Sequence, residues 1–131
     1  MKSCTDLNQS KVLAEILPLE SADAHYVRES TDLMGNPVDG KWSEIRLGNP
    51  EKANYIVQNF SSYEILPCWS LAALLNVLPE GVIENYYAPN LQKEEGKYSI
   101  AYGNVELLCV ADNPIDCCVE MIIKLKELKL L

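Results

Sequence analysis

The one histidine, His25, and the five cysteines, Cys4, Cys68, Cys109, Cys117 and Cys118, are the residues of this chain best equipped for covalent chemistry. In a Cys/His or Ser/His mechanism the imidazole takes the nucleophile's proton and later returns it to the leaving group, so any such mechanism here must run through His25. Placed between Ala24 and Tyr26 in a segment of strand character, His25 reads as an edge or half-buried histidine with an ordinary hydrogen bond. Cys4 and Cys68 are the thiols left to partner it, because Cys117 and Cys118 fall inside a helical pattern and Cys109 lies on the apolar side of a hairpin. No spacing in the sequence joins either thiol to His25.

Other site chemistries do not appear as patterns. A single histidine and no C-x-x-C pair leave no His-rich or thiolate metal motif. Asp32 and Asp39 share a loop with glycines, but the alternating oxygen ligands and closing Glu of an EF-hand are missing, so turn chemistry is the reading. The six glycines are isolated, and none belongs to a phosphate-binding G-x-G-x-x-G or G-x-x-x-x-G-K-[ST] pattern. No cofactor is expected, and no catalytic, cofactor-binding or metal-ligating residue is assigned. Trp42 and Trp69 offer large contact area at low entropic cost, and with His25 they are the interaction candidates, although in so small a protein with one Phe the aromatics read first as the core itself.

The formal charge of -8 counts against nucleic-acid binding, since a phosphate backbone rewards basic clusters and only the scattered Lys124, Lys126 and Lys129 approach one. Residues 1–66 carry ten acids and six bases and residues 67–131 nine and five, which is -4 in each part. A nucleic-acid mimic would mass its carboxylates on one face, and this even spread gives no sign of that; charge that keeps a small protein in solution accounts for it. Five unpaired cysteines read as reduced thiols of a cytoplasmic protein. The start of the chain has a basic residue and a cysteine without the apolar run of a secretory or lipoprotein signal, and no apolar stretch approaches the roughly 18 residues of a membrane span.

The elements that must position these residues read as α+β, in the approximate order α-β-β-β-α-β-β-α. The expectation is one domain over residues 1–131, an antiparallel sheet of about four to six strands with three helices packed mainly on one face. Thr5 or Asp6 can cap a first helix over 6–17, and Gln9 three residues after Asp6 completes a capping-box pattern. Strand character follows at 24–29, 42–47, 54–59 and 63–66, with 31–41 as a mobile loop and the turn at 48–53 setting Ile45 opposite Ile56. Leu71, Leu74, Leu75 and Leu78 recur at helical spacing between Pro67 and Pro79, which predicts a buried middle helix. A further strand at 82–87 precedes an exposed polar connection at 89–96.

The last third is the most fully specified. A hairpin of 97–102 with 105–110 across Gly103-Asn104 sets Tyr102 against Val105, Ile100 against Leu107 and Tyr98 against Cys109, all on one face. Asn113 is the N-cap of a final helix, Pro114 its first residue, and Ile115, Cys118, Val119, Ile122 and Leu125 its inner stripe.

Three segments, CTDLNQSKVLAEILPLESAD (4–23), PCWSLAALLNVLP (67–79) and DNPIDCCVEMIIKL (112–125), together resemble a family of short uncharacterised proteins from prophage and mobile-element regions of gut bacteria. The resemblance implies a genomic setting and transfers no catalytic or binding residue. The function expected is that of a non-enzymatic accessory protein of a phage or mobile element acting by protein-protein interaction. The alternatives are a small Cys/His-dependent hydrolase and an acidic nucleic-acid mimic. The partner expected is a protein, without direct nucleic-acid binding or membrane association, and a homo-oligomer is compatible with this reading.

Overall fold

The computed structural model describes residues 2–32, 34–52, 62–80 and 89–131, leaving aside the side chains of residues 62 and 104–106. The chain is α+β, and its contacts group into two compact units, Asp6–Trp69 and Met1–Thr5 with Ser70–Leu131. The strands expected at 54–59 and 82–87, and the pairing of Ile45 with Ile56, lie outside the described residues.

In the unit Asp6–Trp69, helix α1 spans Leu7–Ala14, capped as the sequence indicates by the Asp6 carboxylate and the Gln9 side chain acting reciprocally. It stops three residues short of the expected end: past the C-cap Glu15, Ile16 and Leu17 turn back onto the Leu13 carbonyl ahead of Pro18. Strand β1, Ala24–Thr31, is the centre of a three-stranded antiparallel sheet, flanked by β2, Arg46–Leu47, and β3, Ser62–Cys68. Of the strand expected over 42–47 only the last two residues pair as a ladder. The stretch before them holds β1 irregularly, with Ser43 N–H donating to the Val27 carbonyl at 2.8 Å and Val27 N–H donating to Ser43 Oγ at 3.1 Å. Pro67 lies within β3 and does not open the next helix.

In the other unit, helix α2 covers Leu71–Val77 behind a Ser70 N-cap. Leu74 and Leu78 are buried, whereas Leu75 is 37% exposed, so the helix buries a narrower stripe than its leucine spacing suggests. Strands β4, Asn90–Glu94, β5, Lys97–Tyr102, and β6, Asn104–Ala111, form a three-stranded antiparallel meander in that order. The polar connection expected at 89–96 is therefore a strand and a turn. Glu95 and Gly96 both have positive φ, 51° and 79°, as a two-residue type I′ hairpin requires. The single sheet of four to six strands is corrected to two sheets, each of three strands among the described residues. Alternation shows which residues face a core but not which strands share a ladder, and here each sheet closes on strands of its own unit.

The terminal hairpin keeps the expected faces but not the expected register. Ile100 pairs with Cys109, Ala101 with Leu108 and Ser99 with Val110, two residues off, and an irregularity between Ala101 and Tyr102 takes up the difference. A shift of two preserves side-chain parity, so Ile100, Tyr102, Leu107 and Cys109 are all buried while Leu108 and Val110 face outward. Over the inner face lies α3, Pro114–Glu127, which buries Ile115, Cys117, Cys118, Val119, Met121, Ile122 and Leu125 together with Pro114. Each large aliphatic side chain so buried contributes roughly 1.5–3 kcal/mol.

Both ends of α3 are set by local chemistry. Asn113 Oδ1 accepts from Asp116 N–H at 2.9 Å. At the other end Leu130 N–H donates to the Leu125 carbonyl and Lys129 N–H to the Lys126 carbonyl, a Schellman closure in which Lys129 holds φ 59° without being glycine. Among the described residues no helix is long and apolar enough to cross a membrane. The two ends make opposite predictions: Asn113→Ala should lower unfolding free energy by about 1 kcal/mol through the lost cap. Lys129→Gly should raise it by up to about 1 kcal/mol through relief of the left-handed residue. Urea denaturation of each variant measures both.

Candidate functional site

Backbone pairing fixes where His25 can act. It is 3% exposed, on the central strand of its sheet rather than an edge, opposite Arg46 on one side and Pro67 on the other. Its Nδ1 lies 3.0 Å from the Gly48 carbonyl, to which it donates. Gly48 has φ 113°, a conformation that side chains rarely adopt, so the acceptor is delivered by a backbone turn that glycine permits. Directly paired residues share a face of a sheet and successive residues alternate, so His25 shares its face with Pro67. Cys68, paired with Ala24, points to the opposite face. The structure does not bring His25 and Cys68 together.

None of the five cysteines is in a disulfide, and all five are buried. Cys4 is 4% exposed in a short bridge with Ser70, and Cys68, Cys117 and Cys118 are fully buried. Cys117 Sγ donates to the Cys109 carbonyl at 3.2 Å under α3. Burial pushes the Cys117 thiol up to about 11 and the Cys118 thiol up to about 12, and raises that of Cys109. Beside them Tyr102, whose hydroxyl donates to the Pro79 carbonyl at 2.8 Å, is likewise pushed up to about 12 by burial. These groups are neutral at physiological pH and serve as core. Among the described residues no group of three or more His, Cys, Asp and Glu is placed to hold a metal ion.

The two tryptophans separate. Trp69 is 0% exposed, its Nε1–H donating to Ser21 Oγ at 2.9 Å, which makes it a core residue. Trp42 is half-buried, with the Arg28 guanidinium 4.7 Å from its ring centroid. Arg28 in turn meets Glu64 Oε2 through Nε at 2.7 Å and Nη2 at 2.6 Å. This stack of Trp42, Arg28 and Glu64 holds two side-chain types favoured at contact surfaces in one geometry. The loop read as mobile carries a defined turn: Asp32 Oδ1 accepts from Met34 and Asn36 N–H at 2.8 and 2.9 Å, and the Asn36 bond leads in holding its carboxyl below the usual range.

A trough on the outer face of β4–β5–β6 was not singled out from sequence. Its floor is the small side chains of Ser99 and Ala101 on β5. One wall is Val110 and Leu108 of β6, paired opposite them, and the other is Gln92 and Asn90 of β4. Leu108 and Val110 are 41% and 49% exposed. Toward the Glu95-Gly96 turn it deepens into a pocket of about 380 Å³ lined by Glu94, Glu95, Lys97, Tyr98, Ser99, Leu108 and Val110. Lys97 Nζ lies 3.9 Å from Asp112. The signal was present in the run Leu107-Leu-Cys-Val110, apolar at both parities, where a strand with one buried face should alternate.

No family model matches this chain, and no curated protein or solved structure matches it.

The thiols make a prediction in two parts. A thiol reagent should find almost no reactive cysteine in the native protein and five after denaturation. A thiol whose pKa rises on folding stabilises below its unfolded value and ceases to do so as pH climbs toward the folded one. Stability should therefore fall as pH rises from about 9 toward 11, the interval for Cys117. Rapid native labelling, or a flat stability profile there, would refute the placement of these groups.

Proposed function

We propose that the protein acts by binding another protein, as a cytoplasmic accessory protein of a phage or mobile element, and that it is not an enzyme. The observation that carries this reading is where the reactive side chains lie. His25 and all five cysteines are at most 8% exposed, and the thiols in the C-terminal core have raised pKa values. A thiol hydrolase needs a thiolate and a base within hydrogen-bond reach of each other and of substrate. His25 and Cys68 point to opposite faces of one sheet, which weighs against that alternative. Groups suited to contact stand outside instead: the Trp42–Arg28–Glu64 stack, Tyr63 at 45% exposure, and the Leu108–Val110 wall. The genomic setting rests on the resemblance of residues 4–23, 67–79 and 112–125 alone.

The test removes the imidazole while keeping its donor. In His25→Asn the side-chain amide can still reach the Gly48 carbonyl, but general-base chemistry is lost, which would cost a histidine-dependent enzyme orders of magnitude in rate. Affinity capture from host lysate with mass spectrometry should return the same partner for parent and variant, within about threefold in yield. Raising salt to about 0.5 M should reduce capture more than the substitution does. Loss of the host phenotype in a normally folded His25→Asn protein would overturn the binding reading and put the hydrolase first.

A further inference from the structure

We propose that the trough on the outer face of β4–β5–β6 is a docking site for a basic amphipathic helix of a partner protein. This deepens the binding reading above and rests on it. The outer strands β4 and β6 are two strand spacings apart, about 9–10 Å. A helix with its side chains is about 10–12 Å across, so one lying along β5 would contact both walls. The inner face of β5 and β6 already receives a helix, α3, and a sheet with an apolar strand on each face completes its layers by taking a second.

The walls say which way such a helix faces. Leu108 and Val110 form an apolar wall at 41% and 49% exposure, against which aliphatic side chains spaced i, i+3, i+4 and i+7 would seat. Asn90 and Gln92 opposite suit the polar flank of the helix. Glu94, Glu95 and Lys97 line the deep end, Asp112 lies beside Lys97 and draws it, and Lys93 stands over the ring of Tyr98, so acids exceed bases there by three to two. Basic residues on the docking helix complement this end, and the chain's charge of -8 favours their approach. Glu95 occupies a positive-φ position where Asn or Gly is the usual residue, and its carboxylate stands at the trough mouth.

The probe is a synthetic capped 14-residue peptide with leucines at i, i+3, i+4 and i+7 and flanking lysines, beside a control whose lysines are replaced by glutamates. Fluorescence anisotropy with the full-length protein should show the lysine peptide binding at least tenfold tighter. Amide shifts should move on β4, β5 and β6. Leu108→Thr combined with Val110→Thr keeps strand propensity at exposed positions and should weaken binding at least tenfold. Glu95→Asn should weaken it a few-fold while thermal stability holds or rises, because Asn tolerates positive φ; that separates lost charge from lost folding. Equal binding of the two peptides, indifference to the threonine pair, or shifts confined elsewhere would each overturn the proposal. So would concentration-dependent dimerisation abolished by the threonine pair, which would make a second copy the occupant. If a captured host protein binds the threonine pair as tightly as the parent, the trough assignment fails while the binding reading stands; a protein that captures no partner fails the reading itself.

Discussion

Burial of the inner face of α3 on β5 and β6 is the constraint from which the C-terminal unit takes its form. A three-stranded meander is marginal alone, and a helix with eight buried residues, packed against the strands and against α2, supplies what the strands cannot. That burial explains why a hairpin can slip by two residues without penalty to its core: parity is what the helix reads, and a shift of two preserves it. It also explains the neutral thiols. Cys109, Cys117 and Cys118 lie where α3 meets the sheet, so they behave as small apolar residues.

Once one face of this sheet belongs to α3, the other is left to solvent, and its composition becomes informative. An antiparallel sheet with one wet face ordinarily turns polar side chains outward, as β4 does with Asn90, Gln92 and Glu94. On β6 the same face carries Leu108 and Val110. In the other unit the situation is reversed, because Ala24, His25, Tyr26 and Val27 are consecutive and all buried, so β1 is covered on both faces at its start. A histidine in such a place is held by its bond to Gly48 and has little access to anything outside.

Features fixed within a few residues were legible in the sequence: the Asp6–Gln9 capping box, the Asn113 cap with Pro114 behind it, and the inner stripe of α3. Each depends on one turn of backbone. Features that depend on distant pairing were not. Pro67 signals a helix start to local reasoning, yet β3 runs through it because its pairing with β1 extends to Cys68. The polar run Asn90–Glu94 resembles a loop because an outer strand with little burial has no alternation to display. Trp69 reads by type as core before contact, and its neighbours place it there, while Trp42 stays half-buried. The trough escaped because the hairpin was read for one apolar face, although β6 is apolar on two.

Pro67 has a bearing on the backbone of β3. Val27 exchanges its backbone bonds with Ser43, so the odd-numbered residues of β1 near it turn their amides toward the β2 side. His25 belongs to that set, and its partner Pro67 therefore directs its nitrogen away from β1, along the outer side of β3. Among the described residues β3 is an outer strand, with no ladder on that side. Pro67 is itself buried, so a backbone N–H there would be a donor out of water with no ladder to join, and proline carries none. The residue that signals a helix start in the sequence spares the end of β3 a buried, unsatisfied donor.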